Sequence, residues 1–306
     1  MSLTEQIKSA IQVVKQVCSL TPPDEKINLA LVKKSASAIK NITNPSEAVQ
    51  LAAVKKSAGA IRYIANPTEA VQLAAVRQKP HVLNYIKNPT LKVQLTAVKI
   101  CGESIKFIQD PCEKVQLAAM ATDFYGGVDV IPYIRNPTET VQLKAVRESP
   151  WSIEDIRNPS EKAQMAAVSQ YGETVRYIEN PSEHVQVCAV RTDSRSIRYI
   201  NNPCERALIL AALRDPHCLE QAENLSDAVQ LALVLKGVDL ADFDIEPGFP
   251  AQLAMSGQIS WAISYIPSPS PELQQVVVSK DPESFHSIKN PTTAARNLYH
   301  YKTSRK

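Results

Sequence analysis

A few residues of this 306-residue chain have the types and spacing to do chemistry at a surface. Trp151 is followed three residues on by Glu154, and Arg176 and Arg198 fill the place of Glu154 in the next two recurrences of a repeated pattern. An aromatic centre beside charges of both signs is the composition of a protein-binding hot spot. Trp261 falls at the same pattern position as Trp151, in a more acidic setting. Phe124 and Tyr125 adjoin the Gly126-Gly127 pair in "ATDFYGGVDV" (121–130), which reads either as a tolerated bulge or as a contact loop. Lys33, Lys55, Arg77 and Lys99 recur at one register, joined later by Arg147 and Arg191. Such a row complements helix dipoles, or follows a phosphate backbone, with Arg62 and Lys106 as further cations. A third chemistry is sequestration of a nucleotide-like ligand by Arg62, Arg176 and Arg198 with the tyrosines near them.

Enzymatic signatures are missing from the sequence. With 8 glycines in the whole chain, there is no phosphate-cradling loop, no zinc-ligand spacing and no nucleophile elbow. Glu154 and Asp155 are adjacent, so on a short helix they point apart and make a poor acid–base pair. The expectation is a non-catalytic protein with no cofactor and no metal. The six cysteines lack any C-x-x-C pair and read as small buried fillers in a reducing compartment. The net charge of +3 is uneven: residues 1–110 carry 15 Lys and Arg against 7 Asp and Glu, whereas 111–200 and 201–306 are slightly acidic. No apolar run reaches the roughly 20 residues that span a bilayer, so a cytoplasmic protein without membrane contact is expected.

The elements that must position these residues come from an internal repeat. "NPSEAVQLAAV" at 44–54 returns as "NPTEAVQLAAV" at 66–76, and equivalent starts fall at 22, 44, 66, 88, 110, 136, 158, 180, 202, 224, 246, 268 and 290. Every interval is 22 residues except the 26 between 110 and 136, which contains the insertion near 121–130. Asn44-Pro45-Ser46-Glu47 reads as a helix start, with Asn as cap, Pro in the first turn and Glu completing a capping box. The helix that follows places Val49, Leu51, Ala53 and Val54 on an apolar arc. Gln50 lies inside that arc and recurs in most units, the exceptions being Asn28 and Leu208. A buried amide needs partners, so a structural ladder to backbone groups at the bends is predicted. A short second element carries Ile61 and Ile64 on one face, and is expected to be partly 3-10. No unit can bury its apolar arc alone, so the units must stack.

The 22-residue alternation, with "NP" at the joint and "DP" or "SP" at the mid-turn (Asp215-Pro216, Asp281-Pro282, Ser149-Pro150), resembles leucine-rich-variant and HEAT-like solenoids. The consensus "IRYIxNPSExVQLAAV" is also similar to repeat arrays of large tailed bacteriophages and bacteria. The resemblance implies an all-α, right-handed α-solenoid of about thirteen units. The expected organisation is a capping helix at 1–21, a continuous array at 22–300 and a basic tail at 301–306. HEAT-like DNA glycosylases, which use a lone carboxylate in a basic aromatic groove, set the one enzymatic alternative. Three binding readings follow, beginning with an array that wraps or blocks a protein partner, such as a phage-encoded inhibitor or adaptor acting in the host cytoplasm. The others are a nucleic-acid binder using the basic N-terminal third, and the nucleotide-like ligand site.

Overall fold

The computed structural model describes residues 25–122, 128–220, 222, 224–243 and 246–304, and side chains for all of these except 128, 129, 242 and 243. The expected capping helix at 1–21, the aromatics Phe124 and Tyr125, and residues 305–306 lie outside the described residues. Among the described residues there is no strand. Long helices start three residues after each expected unit start: Glu25–Lys34, Glu47–Lys56, Glu69–Gln78, Leu91–Ile100, Glu113–Met120, Glu139–Glu148, Glu161–Gln170, Glu183–Thr192, Glu205–Arg214, Asp227–Leu235, Phe249–Met255, Pro271–Lys280 and Thr293–Thr303. Short 3-10 helices such as Ala58–Tyr63, Pro80–Tyr85 and Gly172–Tyr177 alternate with them, while Ile259–Ser264 fills the short position as an α-helix. Consecutive helices pack on their neighbours in a helical repeat array of the solenoid class. The chain divides into two compact bodies, 1–141 and 142–306.

The local sequence explains the alternation. Ser57 ends its helix in an extended conformation (φ −155°, ψ 118°), donating its N–H to Ala53 and accepting from Ala60 to open the 3-10 turn. Four units place Pro after this hinge, and Lys79, Ser149, Asp215 and Asp281 before those prolines are all extended, as a residue preceding Pro prefers. Six residues with i→i+3 bonds then turn the chain back. Val49, Ala53 and Val54 from the long helix and Ile61 and Ile64 from the short one are buried, and the same positions stay buried through the unit starting at 180, whereas Met255 in a later unit is exposed.

The helix starts differ from the expectation. Ser46, not Asn44, is the N-cap, its Oγ accepting from the N–H of Val49 at 3.4 Å. Pro45 therefore lies outside the helix, and Glu47 is its first residue, too early for a capping box. Asn44, Asn202 and Asn224 instead take left-handed φ values of 49°, 59° and 54°, which Asn tolerates better than most residues. The displaced Glu has another partner: Thr68 Oγ1, while capping its own helix, donates to Glu47 Oε1 of the preceding unit at 2.5 Å. Thr90 to Glu69, Ser182 to Glu161 and Ser226 to Glu205 repeat the bond. Cys112 and Cys204 take the cap position without a side-chain cap bond. Cys112 is exposed and only Cys218 is fully buried among the described cysteines, so "buried filler" describes Cys218 alone.

The glutamines form a second set of polar contacts at the joints. In the first body Gln50, Gln72, Gln94 and Gln116 each donate through Nε2 to the proline carbonyl five residues earlier at 2.9 Å. Gln116 Oε1 also accepts from the N–H of Thr138 in the next unit. In the second body, Gln142, Gln186, Gln230 and Gln274 accept from Ser160, Cys204, Gly248 and Thr292 at 2.7–2.8 Å. Gln50 Oε1 and Gln72 Oε1 are buried without a partner.

Near its C-terminal end the second body departs from regular stacking. The helices Asp227–Leu235 and Phe249–Met255 end in Schellman turns, with Gly237 (φ 88°) and Gly257 (φ 83°) left-handed, in place of the extended hinge. Asp227–Leu235 is buried nearly all round, as an all-round apolar helix must be. Pro271–Lys280 packs against it and against Glu205–Arg214, three units earlier. There the Arg206 guanidinium meets the Glu272 carboxylate through two bonds of 3.0 and 3.3 Å, and Arg191 lies 3.7 Å from the same carboxylate. Burial pushes the Glu272 carboxyl up, but hydrogen bonds and charge from Arg206, with a backbone bond and Ser270, outweigh it and hold it below the usual carboxylate range.

Two stability outcomes follow. Gln186→Ala strands the Pro181 carbonyl and the Cys204 N–H and should cost about 1–3 kcal/mol, whereas Gln50→Ala removes a single bond and should cost less. Urea titration compares them, and equal losses would show that the bridge between units is not what the amide supplies. Because folding lowers the Glu272 pKa, its contribution is present above the ordinary carboxylate value of about 4.3 and is lost as pH falls through the lower folded value. The Tm deficit of Glu272→Gln should therefore be clear at pH 7 and shrink towards pH 3; a deficit independent of pH would assign it to packing.

Candidate binding surface on the short-helix edge

The short helices expose a repeated edge. The residue following the 3-10 start lies outward in several units: His81, Glu103, Trp151, Arg195 and His217 are all exposed. Three residues on comes the position of Arg62, Lys106, Arg176 and Arg198, followed at once by an aromatic in most units. Stacking places each cation between the ring of its own unit and the ring of the next. Arg62 lies 5.5 Å from the Tyr63 ring and 5.3 Å from Tyr85, Lys106 lies 5.4 Å from Phe107 and 5.2 Å from Tyr133, and Arg176 lies 5.6 Å from Tyr177 and 4.8 Å from Tyr199. Such cation–π contacts fix otherwise mobile side chains. The sequence placed the rings and the cations at one register but did not reveal that each cation bridges two units.

In the second body this edge carries the densest aromatic group. Trp151 is 40% exposed and sits 6.0 Å from Tyr171, itself 55% exposed, and 6.2 Å edge-on from Tyr177. Trp151, Tyr177, Arg176 and Tyr199 thus form one contact chain across successive units. Tyr171 was not singled out from the sequence, because it stands at the hinge position that other units fill with Ser, Lys or Asp. The same edge carries exposed Glu154, and Arg195 held by Asp193 at 3.0 Å, a bond that keeps the Asp193 carboxyl below its usual range. Arg198 is fixed otherwise, donating to the His217 carbonyl at 2.9 Å. Trp261 is 64% exposed and has no ring neighbour among the described residues, so it stands apart from this cluster.

The basic row lies on the long helices. Lys33, Lys55, Arg77 and Lys99 are exposed and have no ion-pair partner among the described residues. Lys33, Lys55 and Lys56 line a groove with Leu51, Ala48 and Ala52. In the second body Arg191, of the same row, is turned towards Glu272. The row and the aromatic edge therefore occupy different helices of each unit, and the structure does not bring them into one site. No group of three or more His, Cys, Asp or Glu suited to a metal occurs among the described residues, and no described helix is long and apolar enough to cross a membrane.

Compared with known proteins, the chain matches no family model, no curated protein and no solved structure. The class of helical repeat array rests on the 22-residue units themselves.

Proposed function

We propose that this chain is a non-catalytic binding protein that engages a protein partner through the short-helix edge around Trp151. The observation that carries the reading is the braced, half-open ring cluster: Trp151 rests on Tyr171 and Tyr177 yet keeps 40% of its surface exposed. A large aromatic already held in place loses little conformational freedom on binding, which favours affinity. Charges of both signs at Glu154, Arg176 and Arg195 form a polar surround. The likeness of the repeat to phage and bacterial arrays makes an inhibitor or adaptor of a host protein the specific form of this reading.

Trp151→Ala should weaken the partner roughly 30-fold, corresponding to about 2 kcal/mol by hot-spot precedent, while Trp261→Ala, which lacks ring support, changes affinity much less. Parallel affinity capture with wild type and both variants, followed by calorimetry on the retained partner, measures this. A partner bound equally well by Trp151→Ala places the contact elsewhere.

The unpaired row Lys33, Lys55, Arg77 and Lys99 favours a second reading, nucleic-acid binding by the first body. Affinity would then fall steeply with salt as counterions are released. The combined Lys55→Glu, Arg77→Glu and Lys99→Glu variant should abolish retention of a DNA or RNA duplex at low salt; wild-type protein showing no retention there removes this class.

A further inference from the structure

The three sandwiched cations are not equivalent, and the difference marks a site. Lys106 is neutralised within its own short helix, its Nζ 3.2 Å from Glu103. Arg176 has Glu173 at the same place, three residues earlier, although no ion pair joins the two. Arg62 has Gly59 there, the one glycine that the twelve units carry at this position of the repeat. Without the carboxylate, Arg62 keeps only one protein acceptor among the described residues, the Gly59 carbonyl, reached by Nε at 3.0 Å. Among the described residues its Nη donors have no acceptor and its charge no carboxylate, while the Tyr63 and Tyr85 rings flank the guanidinium.

The missing side chain also leaves room. A groove of about 530 Å³ opens beside Gly59, lined by Arg62, Lys79, His81, Tyr85 and Phe107, with no acidic residue in its wall. His81 stands edge-on to Phe107, with ring centroids 6.0 Å apart. The exposed Asn84 amide, also in the lining, offers both a donor and an acceptor. This volume is in the range of small-molecule sites. Positive charge held in a fixed plane recognises phosphate, and aromatic walls recognise a planar ring.

We propose that the Gly59–Arg62 groove binds a mononucleotide, its phosphate on Arg62 and Lys79 and its base against the Tyr85 and Phe107 wall. The site is in the first body and shares no residue with the Trp151 cluster, so either reading can fail without the other. Gly59→Glu is the decisive variant, because it restores the acid that Lys106 already has. A Cβ at Gly59 first meets Arg62 Nη2 at 3.3 Å, the far end of a flexible side chain, so the fold accommodates it.

Calorimetry on the full chain would use the four nucleoside monophosphates, with inorganic phosphate and the free nucleosides as separate halves, and a short oligonucleotide. Saturable binding of at least one monophosphate is expected, weaker binding of each half, and a loss of about tenfold or more in both Gly59→Glu and Arg62→Gln. Circular dichroism melting confirms that both variants are folded. The proposal is overturned if no monophosphate binds, if Gly59→Glu binds as well as wild type, if phosphate alone binds as tightly as the nucleotide, or if only the oligonucleotide binds.

Discussion

The structure depends on how one unit's backbone is completed by the next. Each bend leaves a proline carbonyl and, one unit on, a cap-residue N–H, both at part-buried joints where an unpaired polar group is costly. The glutamine amide is long enough to reach both: Gln116 donates to the Pro111 carbonyl and accepts from the N–H of Thr138. Elsewhere, the cap hydroxyl links its own helix to the preceding Glu, as Thr68 does to Glu47. The two kinds of polar bridge form at different joints and tie neighbours in register, while the apolar positions supply most of the burial.

Departures from the consensus are local exchanges within this scheme. Leu91 replaces the first-turn Glu, and the cap of the next unit is Cys112, which needs no carboxylate beneath it. Gly248 takes the place of a Ser or Thr cap, and the Asp227 carboxylate occupies the space a Cβ there would fill. Arg206 meets Glu272 where the chain turns back three units later. Gly59 stands where the Lys106 unit has Glu103, and the Arg62 charge is left without a carboxylate. The first three exchanges leave no charge unmatched, whereas Gly59 leaves Arg62 without a carboxylate, the observation on which the proposed groove rests.

The two candidate surfaces use the same repeat differently. On the short-helix edge, stacking converts a list of aromatics and cations into bridged rings, which gives rigidity and partial exposure together. On the long helices, cations at one register stay separate and solvated in the first body. A repeat array allows both because helical positions that face outward carry no structural duty.

By itself the sequence determined the repeat period, the presence of a long helix in every unit, most of the buried valine, alanine and isoleucine positions, and the glutamine ladder. These follow from local periodicity and from a buried amide that can only be satisfied nearby. It misplaced the helix cap by two residues, because Asn, Pro and Ser all signal a helix start and only the backbone decides among them. Tertiary structure alone decided which partners lie one unit or more away: the cap hydroxyl on the previous Glu, each cation between two rings, Tyr171 beneath Trp151, and Glu272 on Arg206 across 66 residues. Those contacts depend on the stacking distance and on where the chain turns back, and neither quantity is written in any single unit.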